Sequence, residues 1–142
     1  TSKERRFTPN GILRNRDSLF GDIVNSSPMY VKDTETIFVG ANDGMLHAIS
    51  AVTRTGNNAV VGGQELFTYV PGGLNFAHLA SLSDPNYQHK YFVDGPIVVS
   101  TQTQTPGSNY LVGALGRGGG EEVVGHRRRL PGPPRRDRSL AR

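Results

Sequence analysis

The sequence predicts an all-β chain of short strands joined by tight turns. Runs of four to six β-branched, aromatic and aliphatic residues recur from Asp22 onward, Gly, Pro, Asn and Asp punctuate them, and a single stretch carries helical spacing. At 142 residues the chain is long enough for one modest domain and too short for two ordinary ones.

Residues 1–21 are polar and mixed in charge, with Pro9, Gly11 and Gly21, and read as an extended lead-in. Strands are expected near Met29–Lys32, Thr36–Gly40, Met45–Ser50, Glu65–Val70, Lys90–Val93, Pro96–Thr101 and Tyr110–Leu115. Ala41-Asn42-Asp43-Gly44 joins the second and third as a tight hairpin, because Asn, Asp and Gly tolerate the positive φ such turns use. Thr53–Gly63 and Thr101–Asn109 are polar loops. After the Pro71-Gly72-Gly73 break, Phe76, Leu79 and Leu82 recur at spacing three and predict a short helix over Asn75–Ser83. From Gly118 the pattern stops. An Arg/Pro/Gly-rich run without aromatics cannot bury enough apolar surface to offset its ordering entropy, so residues 121–142 are expected to be disordered.

Composition removes several function classes. Cysteine is absent, which excludes a disulfide scaffold, a thiolate zinc site and a cysteine nucleophile. No apolar run approaches the roughly 20 residues of a membrane-spanning helix. With no initiator Met and no signal peptide in the chain, a longer parent is expected. The net charge of +4 is misleading. Residues 1–120 hold nine basic and nine acidic side chains, while residues 121–142 hold seven Arg and three acids. The globular part therefore has no basic footprint for nucleic acid, and the tail offers polyanions only nonspecific attraction.

The chemistry-bearing residues give weak signals. His47, His78, His89 and His126 lack metal-ligand spacing, and His47, mid-strand, reads as a packed side chain. No GxSxG elbow surrounds any serine. Gly116-Arg117-Gly118-Gly119-Gly120 is followed by Glu121, without the Lys-Ser/Thr pair of a phosphate loop. Asn42-Asp43-Gly44 offers one carboxylate where calcium loops space several oxygens. Asn25-Ser26-Ser27 fits the glycosylation triplet, a pattern frequent by chance.

Longer stretches are more specific. Phe38-Val39-Gly40-Ala41-Asn42-Asp43-Gly44-Met45-Leu46-His47-Ala48, followed by Gly63-Gln64-Glu65-Leu66-Phe67-Thr68-Tyr69-Val70-Pro71, resembles a blade of a quinoprotein-like β-propeller. Three flanks narrow the likeness: Gly21-Asp22-Ile23-Val24-Asn25-Ser26-Ser27-Pro28, Leu82 through Gly95, and Leu111-Val112-Gly113-Ala114-Leu115-Gly116. Together they resemble the C-terminal propeller domain of the PilY-type family, type IV pilus biogenesis factors that act as adhesins at the pilus tip. The resemblance runs over about residues 17–120. It implies that 22–120 is a partial propeller, two to three blades at about 40–45 residues each. It assigns scaffold roles to Gly21, Asp22, Ser27, Pro28, Gly40, Asn42, Asp43, Gly44, Asp84, Pro85, Tyr87, Asp94 and Gly95. The calcium loop of the intact family has no counterpart here, so no metal site or cofactor is carried over.

The tail departs from the family pattern, which continues into a further strand. Codon degeneracy permits residues 121–142 to encode that strand when read one base later, so an out-of-frame tail is expected. The implied function is non-enzymatic: control of pilus assembly and retraction, and binding to host or abiotic surfaces. The implied place is the pilus, cell surface or outer membrane of a Gram-negative bacterium. The alternative is a blade of a dehydrogenase that binds pyrroloquinoline quinone. Such enzymes are rich in Trp and often use a vicinal Cys pair, and this chain has neither residue. A blander reading is a propeller scaffold for outer-membrane assembly.

Overall fold

The computed structural model describes residues 13–16, 18–119 and, as backbone, 123–126. Most of the lead-in and most of the tail therefore lie outside the described residues. Four strands form the first sheet: β1 (Met29–Val31), β2 (Thr36–Gly40), β3 (Leu46–Ser50) and β4 (Glu65–Tyr69), antiparallel in chain order. The second sheet is β5 (Ile97–Val99), β6 (Leu111–Ala114) and β7 (Val123–His126), also antiparallel and in order. Neither sheet closes on itself. Among the described residues no helix is long and apolar enough to cross a membrane.

Side-chain alternation divides the first sheet into two faces. Met29, Phe38, Ala48 and Phe67 stand opposite one another across its four strands, with Gly40, Leu46 and Tyr69 on the next row of that face. This face is the core. Val31, Phe38, Leu46 and Ala48 are buried in one cluster with Ile97 and Leu111 of the second sheet, which places the two sheets back to back. The opposite face carries Tyr30, Ile37, Val39, His47, Ile49 and Thr68. A second cluster of Leu74, Phe92, Val93 and Leu115, with Leu79 and Leu82 packed on it, closes one end.

The helix is shorter and more mixed than expected. Helix α1 spans Phe76–Leu79, and Ala80–Ser83 continues as a 3₁₀ turn. The Asn75 side chain caps α1 by accepting from the Ala77 N–H. Spacing three suits the tighter turn: Leu79 and Leu82 reach the second cluster, while Phe76 stays exposed.

Three expectations need correction. Lys90–Val93 is not a strand. Phe92 and Val93 are buried, but their N–H groups donate to the Asn42 side chain and the Ala41 carbonyl, so a loop takes the bonds a ladder would use. In the hairpin, only Gly44 has a positive φ, at 91°. Asn42 and Asp43 are there for their side chains. Third, residues 123–126 of the tail pair with β6, from Leu111↔His126 to Ala114↔Val123. The backbone edge of β6 recruits them through main-chain hydrogen bonds, which composition does not report. The expectation of disorder for the rest of 121–142, and of a shifted reading frame, lies outside the described residues.

The long loops are tied down. In the loop after β3, Arg54 pairs with Val60 across an isolated bridge and with the Glu35 carboxylate. Asp33, in the turn between β1 and β2, accepts from the Gln102 N–H at 2.9 Å and from Asn109 Nδ2 at 3.1 Å. That holds the second polar loop against the first sheet.

Candidate functional site

The hairpin loop between β2 and β3 is the hub of the molecule. Its turn closes through Gly44 N–H to Ala41 O and Ala41 N–H to Met45 O. Gly44 is needed for its φ, because the left-handed region disfavours a Cβ. The loop's polar side chains point into the protein: Asn42 is 2 % and Asp43 6 % exposed.

Asn42 joins three segments. Its Oδ1 accepts from the Phe92 N–H at 3.0 Å, its Nδ2 lies 3.5 Å from the Asp22 carboxylate, and its own N–H donates to the Asp22 carbonyl. Asn42→Ala is expected to cost about 1–3 kcal/mol, because it leaves the buried Phe92 N–H without an acceptor. Urea unfolding checks this, and a midpoint equal to wild type refutes it.

Neighbouring motif residues add similar ties. Ser26 is buried and its Oγ accepts from the Gly40 N–H at 2.9 Å. Asn25 gives both its backbone N–H and its side-chain amide to the Asp94 carboxylate, at 3.1 and 2.6 Å. Asp94 and Gly95 donate their own N–H groups to Leu115 and Ala114 of the second sheet's end. Gly21 and Gly95 sit where a Cβ would lie 2.2 Å from Asp43 N and 2.4 Å from Ala114 O. Asp22 also accepts from His89 at 2.7 Å; partial burial opposes its charge, yet the His89 bond holds its carboxyl below the usual range.

The remaining expected positions lie apart. Asp84 caps its own turn through Asn86, and the Tyr87 hydroxyl accepts from the Lys90 N–H while its ring carries the Arg14 guanidinium at 4.0 Å. Pro85 follows Asp84 in that turn. Ser27 and Pro28 are exposed.

Sequence reasoning missed the partners of His47. Its ring is buried on the face opposite the core, between two carboxylates: Nε2 lies 3.1 Å from Asp43 and Nδ1 2.6 Å from Glu65. The Phe20 ring lies over it at 4.2 Å. Asp43 further accepts the Gly21 and Met45 N–H groups at 2.7 and 3.0 Å. The spacing of Asp43 and His47 across a turn was a readable signal, whereas Glu65 and Phe20 are brought in by tertiary folding alone.

These contacts set the charges. Burial alone would push His47 down, but the hydrogen bonds to Asp43 and Glu65 and their charges raise it above its ordinary 6.5. Burial would raise Asp43, and the bonds from His47 and Gly21 lower it below 3.8 instead. The sign follows from linkage. The His47 contribution to stability is complete below pH 6.5 and fades as pH rises through the raised value. That of Asp43 is complete above pH 3.8 and fades as pH falls through the lowered one. Stability is therefore expected to decline on both sides of this window, and His47→Gln is expected to flatten the alkaline limb of a plot of urea midpoint against pH. A limb unchanged by the substitution refutes the assignment.

Both imidazole nitrogens are occupied by carboxylates, so neither is free to activate a nucleophile. Among the described residues no group of three or more His, Cys, Asp or Glu is arranged to hold a metal ion. Beside the ion cluster opens a cleft of about 650 Å³, walled by Leu19, Phe20, Met45, Ile49 and Thr68.

Fold and site together define an all-β module of two packed antiparallel sheets whose loops are cross-tied by buried polar side chains. Its relatives carry one name. The chain is 35% identical over 138 residues to a type IV pilus biogenesis factor PilY1 homolog of Xylella fastidiosa (strain Temecula1), covering 77% of this chain and 10% of that protein. A second PilY1 homolog from the same strain is 46% identical over 87 residues, covering 60% and 5%. Type IV pilus biogenesis factor PilY1 of Pseudomonas aeruginosa (strain PAO1) is 29% identical over 147 residues, covering 82% and 12%. No protein-family model and no solved structure matches the chain. The chain belongs to the PilY-type family of type IV pilus biogenesis factors, and it spans between 5% and 12% of the length of these curated relatives.

Proposed function

We propose that this chain supplies two adjacent blades of a C-terminal β-propeller in a PilY-type protein, serving pilus assembly and retraction control and surface binding without catalysis. The observation that carries the reading is the kinship to proteins named as pilus biogenesis factors across most of the chain. The geometry supports it in two ways. A four-stranded antiparallel meander is the form of a propeller blade, and the second sheet packs against its apolar face as a following blade would. Gly21, Asp22, Gly40, Asn42, Asp43, Gly44, Asp94 and Gly95 then serve as scaffold, fixing the loops of one blade to the next. Asp84, Pro85 and Tyr87 shape the loop between helix and second sheet, and Ser27 and Pro28 lead the chain into β1.

The test is genetic. In the bacterium that encodes the protein, the gene is replaced by one lacking codons 22–119, and sheared surface pili and twitching zones are measured beside wild type. Loss of both is expected. Adhesion is scored separately, as attachment per surface pilus in a background that cannot retract its pili. Unchanged piliation and twitching would refute the biogenesis role, and unchanged attachment per pilus would refute the surface-binding role.

A further inference from the structure

The ion cluster around His47 draws on three segments distant in sequence. Asp43 comes from the hairpin loop, Glu65 from the start of β4, and Phe20 from the residues preceding the first sheet. We infer that Ser18–Phe20 is a strap held over the cleft by the proton on His47, and that loss of this proton releases Glu65 and the Phe20 ring while Asp43 keeps both His47 and the Gly21 N–H.

The argument begins with reach. In register, His47 stands opposite Thr68, yet its Nδ1 contacts Glu65, because the ladder slips between Ala48 and Ile49. The His47–Glu65 bond spans that irregularity and so tethers the end of β4 where main-chain pairing is poorest.

Proton counting comes next. Carboxylates only accept, so donating to both requires hydrogen on both ring nitrogens, and His47 must be an imidazolium. A neutral ring keeps one N–H. The two acceptors compete for it unequally, since the Asp43 side chain is 2 % exposed and that of Glu65 is 51 % exposed. Glu65 can turn to water at little cost; Asp43 cannot, and it already holds the Gly21 and Met45 N–H groups. The single N–H therefore stays on Asp43, and Glu65 leaves.

The strap depends on the same charge. Phe20 presents its ring to the imidazolium at 4.2 Å with 33° between the planes, a cation–π arrangement that weakens when the charge is lost. Among the described residues the strap's hydrogen bonds, Phe20 N–H to Ser18 and Arg16 to the Leu19 carbonyl, are exposed and local, and the chain is next fixed at Gly21, whose N–H stays on Asp43. The titratable groups facing His47 are Asp43 from the loop and Glu65 from β4. Leu19, Phe20 and Gly21 bring none, and the charge of Asp22 is spent on His89. Release would uncover the cleft wall formed by Met45 and Ile49.

Hydrogen exchange of the full chain, corrected for intrinsic rates from about pH 5.5 to pH 9, tests this while NMR follows the His47 ring. Protection of the Phe20 amide and of residues 64–66 is expected to fall about tenfold across the His47 titration, with the Gly21 and Met45 amides, both held by Asp43, unaffected. His47→Gln should abolish the pH dependence. Glu65→Gln, at a half-exposed site, should leave the fold intact and move the opening to lower pH. Protection of Phe20 and of 64–66 that stays flat through the titration, or an unmoved midpoint in Glu65→Gln, overturns the inference.

Discussion

Phe38→Ala should lower the unfolding free energy by about 3–5 kcal/mol, the range for truncating a fully buried aromatic. Phe38 is 1 % exposed at the centre of β2. It stands between Met29 and Ala48 on the core face and packs against the Phe67 ring at 6.2 Å, tilted by 59°. Ile97 and Leu111 of the second sheet belong to the same cluster, so the cavity would open between the sheets and loosen both. Since domains have only about 5–15 kcal/mol in total, the loss approaches the whole of a marginal fold. Urea denaturation followed by circular dichroism measures it, with Val98→Ala as the comparison. Val98 is 63 % exposed on the outward face of β5 and should shift the midpoint little. Equal shifts in the two variants would mean that the sheets do not share this core.

Gly40→Ala is expected to cost about 1–3 kcal/mol or more, by overpacking rather than by loss of contact. The added Cβ would lie 2.4 Å from the Val93 carbonyl oxygen and 2.8 Å from Val93 Cγ1. A backbone oxygen cannot rotate away, so β2 or the segment 92–95 must move. Movement there would strain the Gly40 N–H to Ser26 bond and the Asn42 bond to Phe92 together. Gly72→Ala provides the contrast, because its Cβ meets nothing within 4 Å. It should be neutral or slightly stabilising through the unfolded chain. If Gly40→Ala unfolded at the same urea concentration as Gly72→Ala, the close approach of β2 to Val93 would be wrong.

Legibility differed between strands and site. Thr36–Gly40 was readable to the residue because β-branched and aromatic residues run between turn signals. Lys90–Val93 has the same local look and is not a strand, because Asn42 and Ala41 claim its backbone donors from 50 residues away in sequence. Asn42 and Asp43 were readable as turn residues, but their place in the turn follows from bonds to Phe92, Gly21 and His47 rather than from φ. Ser26, buried under Gly40, gave no signal beyond its neighbours in the family pattern.

By itself the sequence determined the all-β class, the hairpin at 41–44, the helical turn after Pro71-Gly72-Gly73 and the PilY-type kinship. These depend on local patterning and on strings of residues that stay together. The tertiary structure alone decided which face of the first sheet became core, that β7 joins β6, and that Phe20, Asp43, His47 and Glu65 form one cluster. Such outcomes turn on which distant segment supplies a buried group's partner. A buried donor or charge must find an acceptor somewhere, and local sequence states the need without naming the residue that meets it.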